Sequence, residues 1–245
     1  QHGQLNKPAR MPAFLKTSGK INMTDLLPAV EIEPSSPAKA SVIWLHGLGA
    51  DGHDFESIVP ALGLPEELAV RFVLPHAPSM PVTVNNGYLM PAWYDIIRFG
   101  EEREYNHAQL LESAKKVHAL IDREIERGVP SHRILLAGFS QGGAVNFEAG
   151  LTYPKPLAGI LALSTYFPSA ASILPHRAQV GLPIQIYHGT VDPVVPIQMA
   201  RNARRHLERF GLVPEFRTYV MGHEVCMEEL GDIAAVLKLC FGRQS

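Results

Sequence analysis

From Asp25 onward, short apolar runs alternate with segments of helical periodicity. Such a chain has few ways to bury itself. The runs lie side by side in a mostly parallel sheet, and the helices cover both of its faces, so the fold class expected is α/β. Ser41-Val42-Ile43-Trp44-Leu45 is apolar without alternation, as a strand buried on both sides must be. Residues 70–74, 133–137, 157–163, 183–187 and 215–219 read as further strands. Residues 108–127 repeat apolar side chains at Leu110, Ala114, Val117, Ile121 and Ile125, and Gly128 and Pro130 stop them, which predicts an amphipathic helix. Residues 145–151, 198–210 and 227–241 read as three more helices.

Two connections carry specific expectations. Residues 29–32 form a first strand, and Pro34-Ser35-Ser36-Pro37 between it and Ser41 predicts an antiparallel hairpin at the sheet edge. Residues 75–91 are rich in Pro, Asn and Gly and read as a functional loop with a turn at Asn85-Asn86-Gly87. Residues 1–22 carry Gly3, Pro8, Pro12 and Gly19 and read as an extended arm left by processing or tagging. Residues 23–245 show no internal repeat and no compositional break, so one domain is expected.

Composition excludes several classes of function. In 245 residues, 22 Lys and Arg balance 24 Asp and Glu for a net charge of −2, so the basic footprint of a nucleic-acid binder is missing. No apolar run reaches the roughly 18 residues a membrane span needs. Residues 1–22 lack the apolar stretch of a secretory signal, which makes the cytoplasm the expected location. Two cysteines, Cys226 and Cys240, make neither a disulfide framework nor a zinc site, and both are expected reduced and near the core.

Chemistry concentrates at Gly138-Phe139-Ser140-Gln141-Gly142, which follows the apolar strand ending at Ala137 and opens a helix. A serine on so sharp a turn projects its hydroxyl above the sheet, and glycines flank it because side chains there would collide with neighbouring elements. A serine hydroxyl is a poor nucleophile at neutral pH, so it needs a base to take its proton and a carboxylate to orient that base. In the chain order serine, acid, histidine, Asp192 follows the strand at 183–187 and His223 follows the strand at 215–219. Both sit in loops at carboxyl ends of strands, where α/β sheets gather their functional groups. Asp95 precedes the serine and Asp232 follows the histidine, so neither fits that order. His188 reads as structural, and His118 and His206 as helix-surface residues. The cluster of Arg201, Arg204, Arg205 and Arg209 reads as a solvated face. Oxyanion donors are expected from the backbone N–H groups of Gln141 and of Leu48 in the loop His46-Gly47-Leu48-Gly49.

Together with Met90-Pro91-Ala92-Trp93-Tyr94-Asp95, His188-Gly189, Asp192-Pro193 and Gly222-His223, these motifs resemble the phospholipase/carboxylesterase family over residues 40–241. The resemblance implies an α/β-hydrolase fold with a mostly parallel central sheet flanked by helices on both faces. It also implies a serine esterase without cofactor or metal, with Ser140, Asp192 and His223 as triad and Leu48 and Gln141 as oxyanion donors. The stretch matching residues 82–93 covers the active site in that family, which makes Met90 and Trp93 candidate substrate contacts, with Tyr166 and Val194 beside them. Leu163-Ser164-Thr165-Tyr166-Phe167-Pro168 is similar to small bacterial carboxylesterases, whereas eukaryotic thioesterases tend to carry a Trp near Tyr166. The expected substrate is a small carboxylic ester of short to medium acyl chain. Thioesterase or lysophospholipase activity is the alternative, and a ligand-binding protein on a hydrolase fold is the non-enzymatic one. A homodimer is the partner the resemblance implies.

Overall fold

The computed structural model describes residues 26–100 and 103–242. The arm expected over residues 1–22 lies outside the described residues. Seven strands form the central sheet: β1 (Ala29–Ile32), β2 (Ala40–Leu45), β3 (Val70–Pro75), β8 (Ile134–Phe139), β9 (Gly159–Leu163), β10 (Ile184–Gly189) and β11 (Glu215–Tyr219). They lie in the order β1-β3-β2-β8-β9-β10-β11, parallel throughout except for β1. Between β3 and β8 the chain makes two small antiparallel pairs, β4 (Ser79–Val82) with β5 (Tyr88–Pro91) and β6 (Ile96–Arg98) with β7 (Glu104–Tyr105).

Side chains alternate across the sheet and fill two cores. Ile43 and Leu45 of β2 and Ile134 and Leu136 of β8 point to one face, which α2 (His107–Glu126), α3 (Gln141–Thr152) and α4 (Ile197–Arg209) cover. Val42 and Trp44 of β2 and Leu135 and Ala137 of β8 point to the other, against α1 (Ile58–Ala61) and α5 (Met227–Gly242). This double burial is why the strand sequences are apolar without alternation. The helix expected over 108–127 is α2, capped by the Asn106 side chain on the Gln109 N–H and ended at Gly128, whose φ is +97°.

One local expectation gives way. β1 does not form a hairpin with β2: Ala29 pairs with Pro75 and Ile32 with Phe72, so β1 is antiparallel to β3 and forms the edge. β2 is needed inside the sheet between β3 and β8, where its six buried residues are covered on both sides. Residues 75–91 hold no single regular element, and within them β4 and β5 form a short hairpin with Val82 paired to Tyr88. Its turn does fall at Asn85-Asn86-Gly87, where Asn86 and Gly87 have φ of +57° and +72°. Cys226 and Cys240 are half-buried and pack against the α5 core.

Candidate active site

β8 ends in a turn whose geometry follows from its glycines. A Cβ at Gly138 would stand 2.6 Å from the Gly143 nitrogen, and one at Gly142 would stand 2.6 Å from the carbonyl oxygens of both Leu45 and His46. Only glycine lets α3 lie this close to the tip of β2. Ser140 between them has φ +54° and ψ −119°, a conformation costing about 1–3 kcal/mol that its surroundings must hold. They do so through the Ser140 N–H, which donates to Leu163 O at 2.9 Å, and through Ser140 O, which accepts from Thr165 Oγ1 at 2.6 Å. Ser140 remains 7% exposed at the carboxyl end of the sheet.

Asp192 and His223 arrive from the loops after β10 and β11. His223 Nε2 lies 3.0 Å from Ser140 Oγ, and His223 Nδ1 lies 2.7 Å from Asp192 Oδ2. Asp192 Oδ1 accepts the N–H groups of Val194 and Val195 at 2.8 Å each. Burial raises the pKa of this carboxyl, but the His223 ring and those two N–H groups outweigh it and hold the group below its ordinary value. His188 is fully buried behind it, its Nε2–H donating to Val195 O at 2.7 Å, and burial lowers its pKa, so it braces the Asp192 loop as a neutral ring. Phe139 packs on the His223 ring at 4.7 Å between centroids.

Ser140 opens into a cavity of about 210 Å³ lined by Leu48, Gln141, Val194, Phe99, Arg103 and His223 among others. Gln141 is the first residue of α3, so its N–H has no partner inside the helix. A Cβ on Gly47 would lie 3.5 Å from Ser140 Cβ, which brings the loop carrying Leu48 against the serine. The Gln141 side chain is engaged elsewhere: its Oε1 accepts the Trp93 N–H at 2.8 Å and its Nε2 donates to Tyr94 O at 2.7 Å.

The structure thus brings together Ser140, Asp192, His223, Leu48, Gln141 and Val194, and it separates three other expected contacts from the serine. Trp93 is fully buried, with its indole N–H on His46 O at 2.8 Å, so it props the His46–Gly49 loop and offers no surface to a substrate. Met90 packs beside Gly49 and accepts from Asn85 Nδ2 at 3.4 Å, outside the Ser140 cavity. Tyr166 is buried against Tyr94, with hydroxyls 2.6 Å apart, and lines a neighbouring cavity. His118 bridges two helices through Ala149 O at 2.8 Å, so it is not a surface residue. Phe99 and Arg103, beside β6 and β7, were not foreseen, because a short polar stretch with one Phe carries no periodicity that marks a cavity wall. Among the described residues no three His, Cys, Asp or Glu converge as a metal site, and no helix is long and apolar enough to cross a membrane.

Comparison with known proteins bears on this arrangement. A Schizosaccharomyces pombe protein named acyl-protein thioesterase 1 is 43% identical over 191 residues, 76% of this chain and 83% of its own. A Neurospora crassa protein of the same name is 42% identical over 205 residues, 79% of this chain and 84% of its own. The crystal structure of Arabidopsis thaliana SOBER1 superposes with a TM-score of 0.78 at 33% identity, covering 83% of this chain and 99% of that one. The profile of the phospholipase/carboxylesterase family matches residues 28–241, and the chain belongs to that family of α/β hydrolases.

Proposed function

We propose that this hydrolase cleaves carboxylic esters of short to medium acyl chain by way of a serine acyl-enzyme. The observation that carries the reading is the unbroken hydrogen-bond chain from Ser140 Oγ through His223 to Asp192 at the wall of a cavity. Ser140 Oγ attacks the ester carbonyl carbon while its proton passes to His223 Nε2. Asp192, ionised and buried, holds the imidazole with Nδ1 protonated and stabilises the imidazolium. The Leu48 and Gln141 N–H groups receive the oxyanion of the tetrahedral intermediate. Collapse breaks the C–O bond to the alcohol, which leaves with the proton from His223. A water then repeats the sequence and returns Ser140 with release of the acid.

The size of the cavity supports short or medium chains: about 210 Å³ has room for about seven water-sized groups at roughly 30 Å³ each. A second reading, cleavage of thioesters on acylated proteins, is favoured by the names of the fungal relatives and uses the same residues. The test is kcat/KM on p-nitrophenyl esters and acyl thioesters of increasing chain length, with Ser140→Ala as control. A short-chain oxygen-ester maximum that vanishes in Ser140→Ala is expected. A long-chain thioester maximum would replace the first reading with the second, and turnover that persists in Ser140→Ala would overturn both.

A further inference from the structure

The Ser140 cavity shares part of its wall with a neighbouring space. Arg103 lines it and also lines a second cavity of about 410 Å³, walled by Tyr105, Tyr166, Phe167, Met199, Asn202 and His206 among others. Arg103 is therefore a wall residue common to both spaces. Its guanidinium lies 4.5 Å from the Tyr166 ring centroid and 5.0 Å from that of Phe99, and Nη2 donates to Val194 O beside Asp192. Two rings and one carbonyl fix its plane but do not neutralise its charge. Among the described residues Arg103 has no carboxylate partner, and its buried Nε–H donates to nothing.

The larger cavity has the matching chemistry. None of its lining residues is acidic, while Arg103, His206, Asn202 and Tyr105 bring cationic or neutral polar groups to it. The α4 wall also carries Arg201, Arg204, Arg205 and Arg209, of which Arg204 is paired with Glu208. Glu148, the acid whose charge reaches Tyr105, is buried and accepts a hydrogen bond from the Ser169 hydroxyl. A guanidinium whose Nε–H has no partner among the described residues brings to such a space a planar donor that can bind an oxyanion.

We infer that the cavity beyond Arg103 seats a carboxylate or phosphate carried by the substrate at the end remote from its reacting carbonyl, with Arg103 as the specificity-determining contact. The inference rests on Ser140 being the nucleophile. The substrate class is then an anionic ester, the charge held while Ser140 attacks the carbonyl several bonds away.

The experiment compares p-nitrophenyl esters of equal length: hexanoyl, adipoyl with its free carboxylate, and 5-phosphonopentanoyl. The expected result is that the native chain favours an anionic ester over hexanoyl and that added salt narrows the preference. Arg103→Met should lower the anionic-to-neutral ratio of kcat/KM by about tenfold or more, and Arg103→Lys should restore part of it. His206→Gln, on the α4 wall of the same cavity, should lower the same ratio by a smaller factor. The anion that loses more in Arg103→Met is the one the site is built for. A ratio unchanged in Arg103→Met, with Ser140 still labelled by a fluorophosphonate, would overturn the role of Arg103 and leave the nucleophile standing. No labelling of Ser140 in the native chain would remove the nucleophile itself.

Discussion

Glu229→Gln should gain stability relative to the native chain as pH rises above 5. Glu229 lies in the first turn of α5 and is fully buried, with no hydrogen-bond partner on either carboxylate oxygen. Burial raises its pKa from 4.5 to about 8; the nearby Cys226 N–H offsets this only in part, and the charge of Asp232 adds to it. The folded chain therefore keeps a proton that the unfolded chain gives up. Stability from this group is full below pH 4.5 and falls as pH rises to about 8. At 1.36 kcal/mol for each tenfold change, the loss is about 3 kcal/mol at pH 7 and about 5 kcal/mol when complete. Glutamine keeps the shape and never ionises, though its amide N–H groups add a pH-independent cost of their own. The test is urea unfolding of both proteins from pH 5 to pH 8. The stability difference should shift in favour of Glu229→Gln by about 1.4 kcal/mol per pH unit. At pH 7 that corresponds to roughly 6–12 °C in Tm before the constant amide cost is subtracted. A difference that does not change with pH would refute the reasoning, because it would mean that Glu229 ionises alike in both states.

Other expectations follow from the site and its supports. Asp192→Asn should lower kcat on p-nitrophenyl esters by on the order of 10³ or more with the fold retained, since His223 would lose the acceptor at Nδ1; near-native turnover would count against the assigned role. Gly142→Ala should destabilise by about 3 kcal/mol or more, read as a lower urea midpoint, because its Cβ would meet two carbonyl oxygens at 2.6 Å. His46, His118 and His188 have pKa values lowered by burial, so the unfolded chain takes up protons before the folded one; stability should fall as pH drops below about 6.5, and a flat acid branch of the stability curve would contradict this.

The sequence by itself determined the features that depend on neighbours along the chain. Periodicity set α2, because its apolar side chains repeat along one face. Unbroken apolar runs set β2 and β8, because a strand covered on both sides has no polar face. The turn at Ser140 was legible because its glycines are demanded within a few residues, and Asp192 and His223 because each follows a recognisable strand. What only the tertiary structure decided involves partners far apart in the chain. β1 chose β3 over β2 because β2 is needed between two other strands, a competition no local pattern records. Trp93 turned out to brace the His46 carbonyl and the Gln141 side chain, 47 and 48 residues away, and so left the substrate cavity. Arg103 entered that cavity because the rings of Phe99 and Tyr166 hold its guanidinium there. Such placements arise from packing of whole layers: a side chain's surroundings are set by which segments the fold brings beside it, and its own neighbours in sequence carry no trace of them.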